Sequence, residues 1–368
     1  MTGAGLAAVA VLLVTLAYLA AWPVPAEPVA WVPPPSSGFT GDFTPNHELT
    51  AAELLDAGGE GPEDVAVAPD GTLYTGLLDG RIMRLPPHGS GATTFARTGG
   101  RPLGLRFGAE GRLLVADTQR GLLSVGGDGA VTVLADGHGG VPFRLADDLD
   151  VGADGTVYFT DASTRFSVDD SIADVVEHRA TGRLLAYDPG SRTTRVLLDG
   201  LCFANGVALA PDQSFVLVAE TACYRVRRLW LRGPRQGASE VVLDGLPAFP
   251  DGITGDGAGT FWLALVSPRN RLLDALHPRP ALKKALLRVP AVLRPGPKRY
   301  GFVLAIDGDG RVIRNLQDPA GGTAAFVTNA VPHAEWLYLG MLHGRALARI
   351  LIAGSGTRGT APSPTTRP

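Results

Sequence analysis

The chain reads as an all-β protein, a six-bladed β-propeller behind an N-terminal transmembrane helix, and three observations predict it. The first is a repeat. Aligning GPEDVAVAPDG on Glu63 brings Leu103 (RPLGLRFGAEG), Asp147 (ADDLDVGADG), Asn205 (ANGVALAPDQ) and Asp251 (PDGITGDGAG) to the same place. The second is punctuation. In each copy a turn residue stands eight positions later, at Gly71, Gly111, Gly155, Gln213 and Gly259, and an apolar run follows: LYTGLL, LLVADT, VYFTDA, FVLVAE, FWLALV. A period of roughly 40 to 45 residues built from short strands and Gly/Asp turns marks a propeller, each repeat being one four-stranded blade. The third is composition: 45% hydrophobic residues can fill a large core, and 48 Gly with 29 Pro supply many tight turns. The net charge of −3 leaves no positive excess to neutralise phosphates, which excludes a nucleic-acid partner.

Residues 1–22 hold an uncharged apolar run, Gly5 to Trp22, just long enough to cross a hydrocarbon core as a helix. It is read as a signal anchor, with a cleaved signal peptide or a buried core helix as the alternatives. The run is longer than a usual signal core and no Lys or Arg precedes it. Residues 23–50 form a Pro-rich linker, whose PVPAEPVAWVPPP reads as an extended spacer. The propeller spans 51–354, with blades starting near Glu63, Leu103, Asp147, Asn205, Asp251 and Thr328. YGFVLAIDGDGRVIRNLQDP supplies the outer strands of blade five, and the segment around Glu53 to Leu55 is expected to complete blade six and close the ring. Two insertions interrupt the period. Arg165 to Thr181 is polar and partly helical in pattern; Arg269 to Arg299 carries all three lysines beside many leucines. The second is either a membrane-surface or lid element or a solvated helical excursion on the rim. Residues 355–368 are low-complexity and expected to be disordered.

The first strand of each blade lines a propeller's central channel, so the aligned residues face one another around the axis. Glu63, Asp147, Asn205 and Asp251 thus bring three carboxylates and an amide together, with no Lys or Arg in the aligned set. Such a group repels itself in a narrow channel unless a cation sits among the oxygens, and hard oxygen donors suit Ca²⁺ better than Zn²⁺. The competing reading is a set of ordinary turn residues. It has force for Asp147, which stands beside Asp148, but it does not account for Glu63. The metal reading expects the side-chain oxygens of Glu63, Asn205 and Asp251 within about 2.3 to 2.6 Å of one ion, with Asp147 at or near the same shell.

GPEDVAV, GRPLGLRFGAEGRLLVADTQRGL, DDLDVGADGTVYFTDAS, FANGVALAPDQSFVLVAET, FPDGI and EWLYLGMLHG resemble the strictosidine synthase-like family, its adipocyte plasma membrane-associated protein group in particular. The similarity runs from about Gly61 to Ile350 and takes in the N-terminal segment and the second insertion. The group is related to paraoxonases, gluconolactonases and diisopropyl fluorophosphatase. The resemblance implies a six-bladed propeller with channel calcium held by Glu63, Asp147, Asn205 and Asp251, and calcium-dependent hydrolysis of small esters or lactones. This chain departs from the pattern in having Asp147 where Asn is usual and Gly252 where close relatives often have Asn. The catalytic glutamate of the plant synthase maps near Thr328, which cannot accept that proton, so amine–aldehyde condensation is not expected.

For hydrolysis, Asp251 is the first candidate for activating water or attacking the substrate, and Asp148 is the alternative. His138, His333 and His343 stand in loops or strand ends near the channel mouth without an evident partner. No G-x-S-x-G elbow occurs, which removes a serine nucleophile. A non-catalytic, membrane-tethered binding propeller with structural calcium is the rival reading, because propellers host many functions. The only two cysteines flank the inner hairpin of blade four. With its turn at Asp212 and Gln213, Cys202 faces Cys223, within reach of a disulfide in an exported, extracytoplasmic domain.

Overall fold

The computed structural model describes residues 3–294 and 296–352; the tail expected to be disordered lies outside the described residues. Six four-stranded antiparallel sheets form the propeller. Their inner strands are Ala66–Val67, Pro102–Phe107, Ala146–Val151, Ala204–Leu209, Ala248–Gly255 and Val327–His333. Blade six takes its outermost strand from Glu53–Asp56, where Glu53 pairs with Arg349 and Leu55 with Leu347. The start and the end of the propeller are thereby locked in one sheet.

The repeat has a backbone cause. Gly71, Gly111, Gly155 and Gly259 all have positive φ, and Gln213 takes the same left-handed turn at φ 56, a conformation glycine enters at no steric cost. The apolar runs that follow are the second strands of the blades. Their side chains pack between neighbouring sheets, as with Phe159 against Phe143 or Phe261, Phe302 and Leu263 in blade five. Burying one such phenylalanine is worth roughly 1.5 to 3 kcal/mol.

α1, Gly3–Ala21, has no buried residue and is long and apolar enough to cross a membrane. That removes the core-helix reading. The first insertion holds α2 (Ser171–Glu177), and the second holds α3 (Arg271–Leu276) and α4 (Pro280–Arg288). Asn270 caps α3 by accepting from the N–H groups of Leu272 and Leu273, and Pro280 opens α4 where its missing N–H costs nothing. These helices pack on one another over one mouth of the channel.

The Pro-rich segment differs from the spacer expected of it. It is threaded against the insertions: Val29 N–H donates to Glu177 O and Trp31 N–H to His277 O. Lys283, fully buried, donates from Nζ to Val29 O at 2.8 Å, and Trp31 stacks on His178 with ring centroids 3.9 Å apart. Composition pointed to an extended chain but carried no information about what that chain lies upon.

Cys202 and Cys223 form a disulfide with Cα atoms 5.6 Å apart. The pairing is as expected, but its register is not. Ala204 pairs with Glu220 rather than Thr221, and a bulge intervenes before Val207 pairs with Val218. Cys223 lies in a short 3-10 turn, Thr221–Cys223, beyond the strand. Replacing both cysteines by Ser is expected to cost about 3 kcal/mol, the value for a closed loop of this length. Urea denaturation checks it; a loss under about 1 kcal/mol would mean that the turn is held without the bond.

Candidate functional site

Each inner strand from blade two to blade six carries a bulge at the aligned position. The ladder shifts register between Pro102 and Leu105, Ala146 and Leu149, Ala204 and Val207, Pro250 and Ile253, and Val327 and Asn329. A bulge re-aims two consecutive side chains, so the channel has two layers where sequence reasoning counted one. The upper layer is the expected ring. Glu63, Leu103, Asp147, Asn205, Asp251 and Thr328 all wall a chamber of about 20 Å³, room for one ion or water and for no organic substrate.

The lower layer is made by the next residues: Asp64, Gly104, Asp148, Gly206, Gly252 and Asn329. Its polar members reach sideways over the glycines of neighbouring blades. Asp64 accepts from Leu105 N–H and Asn329 Nδ2, each at 2.7 Å. Asp148 accepts from Val207 N–H at 3.0 Å and Leu149 N–H at 2.8 Å. A Cβ on Gly206 would lie 2.3 Å from Ile253 N, and one on Gly252 would lie 2.6 Å from Thr328 O. Asn in place of Gly252 would therefore force the two blades apart.

Two guanidinium groups enter the channel that the aligned set did not include. Arg106 spans the lower layer, donating to Asp64 at 3.0 Å and to Thr254 Oγ1 at 2.7 Å, with Asp148 at 3.9 Å. Burial opposes its charge, but Asp64, Asp148 and Asp150 outweigh that and hold its pKa above the ordinary arginine value. Arg101 lies in the upper layer, ion-paired with Glu63. Its Nε is buried without a partner.

Burial, then repulsion from Asp251 and Asp148, pushes the Asp147 carboxyl well above its ordinary value. Asp251 is pushed up to about 8, by burial first and by Asp148, while the Asn205 side chain and Gly252 N–H pull the other way. A buried oxygen set of this kind fits a hard dication. Glu63 is the member out of position. Among the described residues, the His, Cys, Asp and Glu side chains whose ligand atoms all lie within 4.8 Å of one another are His178 and the disulfide pair. The three ring carboxylates are spread wider than that, with Glu63 held by Arg101.

Asp251 has a folded pKa near 8 against an ordinary 3.8, so the fold prefers the protonated acid and stability falls as pH climbs between those values. Chelator-treated protein is expected to melt lower at about pH 8.5 than at about pH 6, and calcium should remove the difference. A melting temperature that rises with pH in chelator would contradict the burial of these acids.

Asp148, the alternative catalytic carboxylate, stands in the lower layer with its oxygens committed to backbone N–H groups, and it does not wall the wide cavity above. Of the three histidines named from sequence, His343 reaches that cavity and packs edge-on against Phe326. His138 lies in a side hairpin, Gly137–His138 with Val141–Pro142, and His333 ends its inner strand five residues beyond Thr328.

Sequence reasoning also missed the acids that fix the ring. Asp117, Asp161 and Glu220 end the second strands of blades two, three and four. They accept from the N–H groups of Arg101, Leu145 and Cys202, just ahead of the next stretch of inner strand. Hydroxyls add to this: Thr160 donates to Asn205 O, Thr221 to Pro250 O and Thr328 to Glu63 O. The signal was present, since LLVADT, VYFTDA and FVLVAE each carry an acid at the same end.

Above the ring the channel opens into a cavity of about 380 Å³. Leu103, Phe203, Phe249, Val266, Val175 and Leu287 are among its walls, so propeller loops and all three insertion helices enclose a largely apolar space over a charged floor.

The strictosidine synthase family profile matches residues 147–234, and the strictosidine synthase-like N-terminal profile matches 41–85. Adipocyte plasma membrane-associated protein from Salmo salar is 35% identical over 364 residues, covering 92% of this chain and 86% of that protein. Among solved structures, a gluconolactonase from Xanthomonas campestris superposes with a TM-score of 0.60 at 18% identity, covering 89% of this chain and 98% of its own. Regucalcin from Agrobacterium tumefaciens, a calcium-binding protein, superposes with a TM-score of 0.56 at 18% identity over 82% of this chain and 91% of its own. At that identity the two structures establish the propeller fold and nothing finer.

Proposed function

This chain belongs to the strictosidine synthase-like family that includes adipocyte plasma membrane-associated protein, and from its channel we propose that it is a calcium-dependent hydrolase of esters or lactones. The observation that carries the reading is the junction of two spaces: an ion-sized chamber walled by buried oxygen donors, opening into an apolar cavity large enough for an organic substrate. Asp147, Asn205 and Asp251 would hold the ion, with Glu63 joining them by releasing Arg101. When bound, calcium supplies a Lewis acid for a carbonyl oxygen.

The remaining work falls to the chain itself. The apolar walls hold the acyl or aryl part of the substrate and keep bulk water out, which strengthens every charge on the floor. Asp251, with its carboxylate facing the chamber and steadied by Asn205, takes the proton of a water that attacks the carbonyl carbon and returns it to the alkoxide as the ester C–O bond breaks; in direct attack the carboxylate displaces that alkoxide and water then opens the resulting anhydride. Arg101, once off Glu63, is placed to offset negative charge gathering above Asp147. Thr328 spends its hydroxyl on Glu63 O and offers no base for amine–aldehyde condensation. The disulfide supports an oxidising, extracytoplasmic site for the propeller, with α1 as its membrane anchor.

A second reading, a binding propeller whose calcium is structural, is favoured by one observation, the capture of Glu63 by Arg101. Assays of the full chain with phenyl acetate and a lactone panel separate the two. The hydrolase reading expects turnover that chelator abolishes and calcium restores. Absence of turnover in calcium-loaded, folded protein would leave the binding reading.

A further inference from the structure

The end of α1 is fastened to the cap over the cavity. Arg288, at the end of α4, donates from Nη1 to Leu19 O at 2.7 Å and from Nε to Trp22 O at 2.5 Å. This places a cation on the free carbonyls of α1's last turn, where the helix dipole favours one. Tyr18 returns a hydrogen bond from its hydroxyl to Arg288 O at 2.9 Å. Tyr18 and Trp22 are the residue types that settle at a membrane interface, and the cap lies directly beside them.

The cap's outer surface suits that position. Val292 is 89% exposed, Leu293 70%, Ile172 56%, Leu272 48% and Leu282 47%. Ile172 and Leu272 also wall the cavity, so the rim of the opening is itself apolar and outward-facing. Around these residues the second insertion exposes Arg271, Arg279, Lys298 and Arg299 and half-exposes Lys284 and Arg294, against the single acid Asp274, while Lys283 and Arg288 turn inward. In a chain of net charge −3, that concentration of positive charge complements an anionic lipid surface.

We propose that the face made by α2, α3, α4 and residues 291–293 rests on the bilayer that α1 crosses. Through its rim the cavity takes the apolar tail of an ester or lactone drawn from that bilayer, with the reactive head at the channel ring. For the head group alone this rests on the hydrolase reading.

The test uses the full chain in nanodiscs of phosphatidylcholine and phosphatidylserine. An environment-sensitive nitrobenzoxadiazole label at Leu293→Cys is expected to emit as in lipid and to be quenched by nitroxide-bearing lipid, while the same label at Glu110→Cys, in a turn at the far end of blade two, emits as in water. Equal, aqueous emission from both would overturn the docking. The ligand class is read with a lactam, which is not turned over. A diazirine-bearing N-dodecyl-2-pyrrolidone is expected to crosslink to cavity walls such as Val175, Phe249 and Leu287. N-dodecyl-2-pyrrolidone should displace it at a concentration at least about 100-fold below that of N-butyl-2-pyrrolidone, since each buried methylene is worth roughly fourfold and burying only three or four of the extra ones supplies that factor. Crosslinks confined to α1, or equal potency of the two competitors, would overturn the tail-binding cavity. Cavity crosslinks without turnover of any ester or lactone would end the hydrolase reading and leave this one standing. Calcium-dependent turnover of phenyl acetate with an aqueous label at 293 would do the reverse.

Discussion

Arg106→Met is expected to destabilise the protein by about 3 to 5 kcal/mol, the range for removing one partner of a buried ion pair. The guanidinium is the cation of the lower layer: it donates to Asp64 and Thr254 and stands 3.9 Å from Asp148. Without it Asp64 and Asp148, both under 5% exposed, face each other with no compensating charge. Arg106→Lys should recover only part of the loss, because a single ammonium cannot span Asp64 and Thr254 as the planar fork does. Chemical denaturation measures both variants. A loss under about 1 kcal/mol for Arg106→Met would mean that the layer is held by backbone hydrogen bonds alone.

Asp251→Asn is expected to lower turnover of a responsive ester or lactone by about 100-fold or more, as loss of a general base does, while calcium affinity falls far less. The amide keeps an oxygen facing the chamber but cannot take a proton. The preserved neighbours are Asn205 and the Gly252 N–H, so the side chain should hold its place. Asp148→Asn separates the roles, since Asp148 is bound into the lower layer; its loss should appear in stability before turnover. Equal losses of affinity and turnover in Asp251→Asn would remove Asp251 from the catalytic role and leave it a ligand.

The ring was legible because one physical constraint repeats. A left-handed turn eight residues after five of the six aligned positions marks where those inner strands end, so Glu63, Asp147, Asn205 and Asp251 could be placed on one channel without knowing a single contact. The bulges were not legible, since two residues opposing one leave no mark in hydrophobic alternation. Without them Asp147 and Asp148 look like alternatives for one place, whereas they occupy different layers. The same cause displaced the cysteine register by one residue while leaving the pair within bonding distance. Arg101 and Arg106 stand two before and three after Leu103, and reach the channel because blade two offers only an apolar side chain there. That consequence needs the neighbours' positions, which the chain read alone does not supply. The Pro-rich segment failed for a related reason: proline content determines that a stretch is extended, and its partners Glu177, His277 and Lys283 lie more than a hundred residues away.

The central claim is that the upper ring is a calcium site, and calorimetric titration of the chelator-treated full chain tests it most directly. The account predicts one Ca²⁺ bound per chain, with proton release near neutral pH as Asp251, pushed up to about 8, gives its proton up, and binding abolished when Asp147 and Asp251 are both replaced by Asn. Failure to bind calcium in folded protein, or unchanged binding in that double variant, would contradict it.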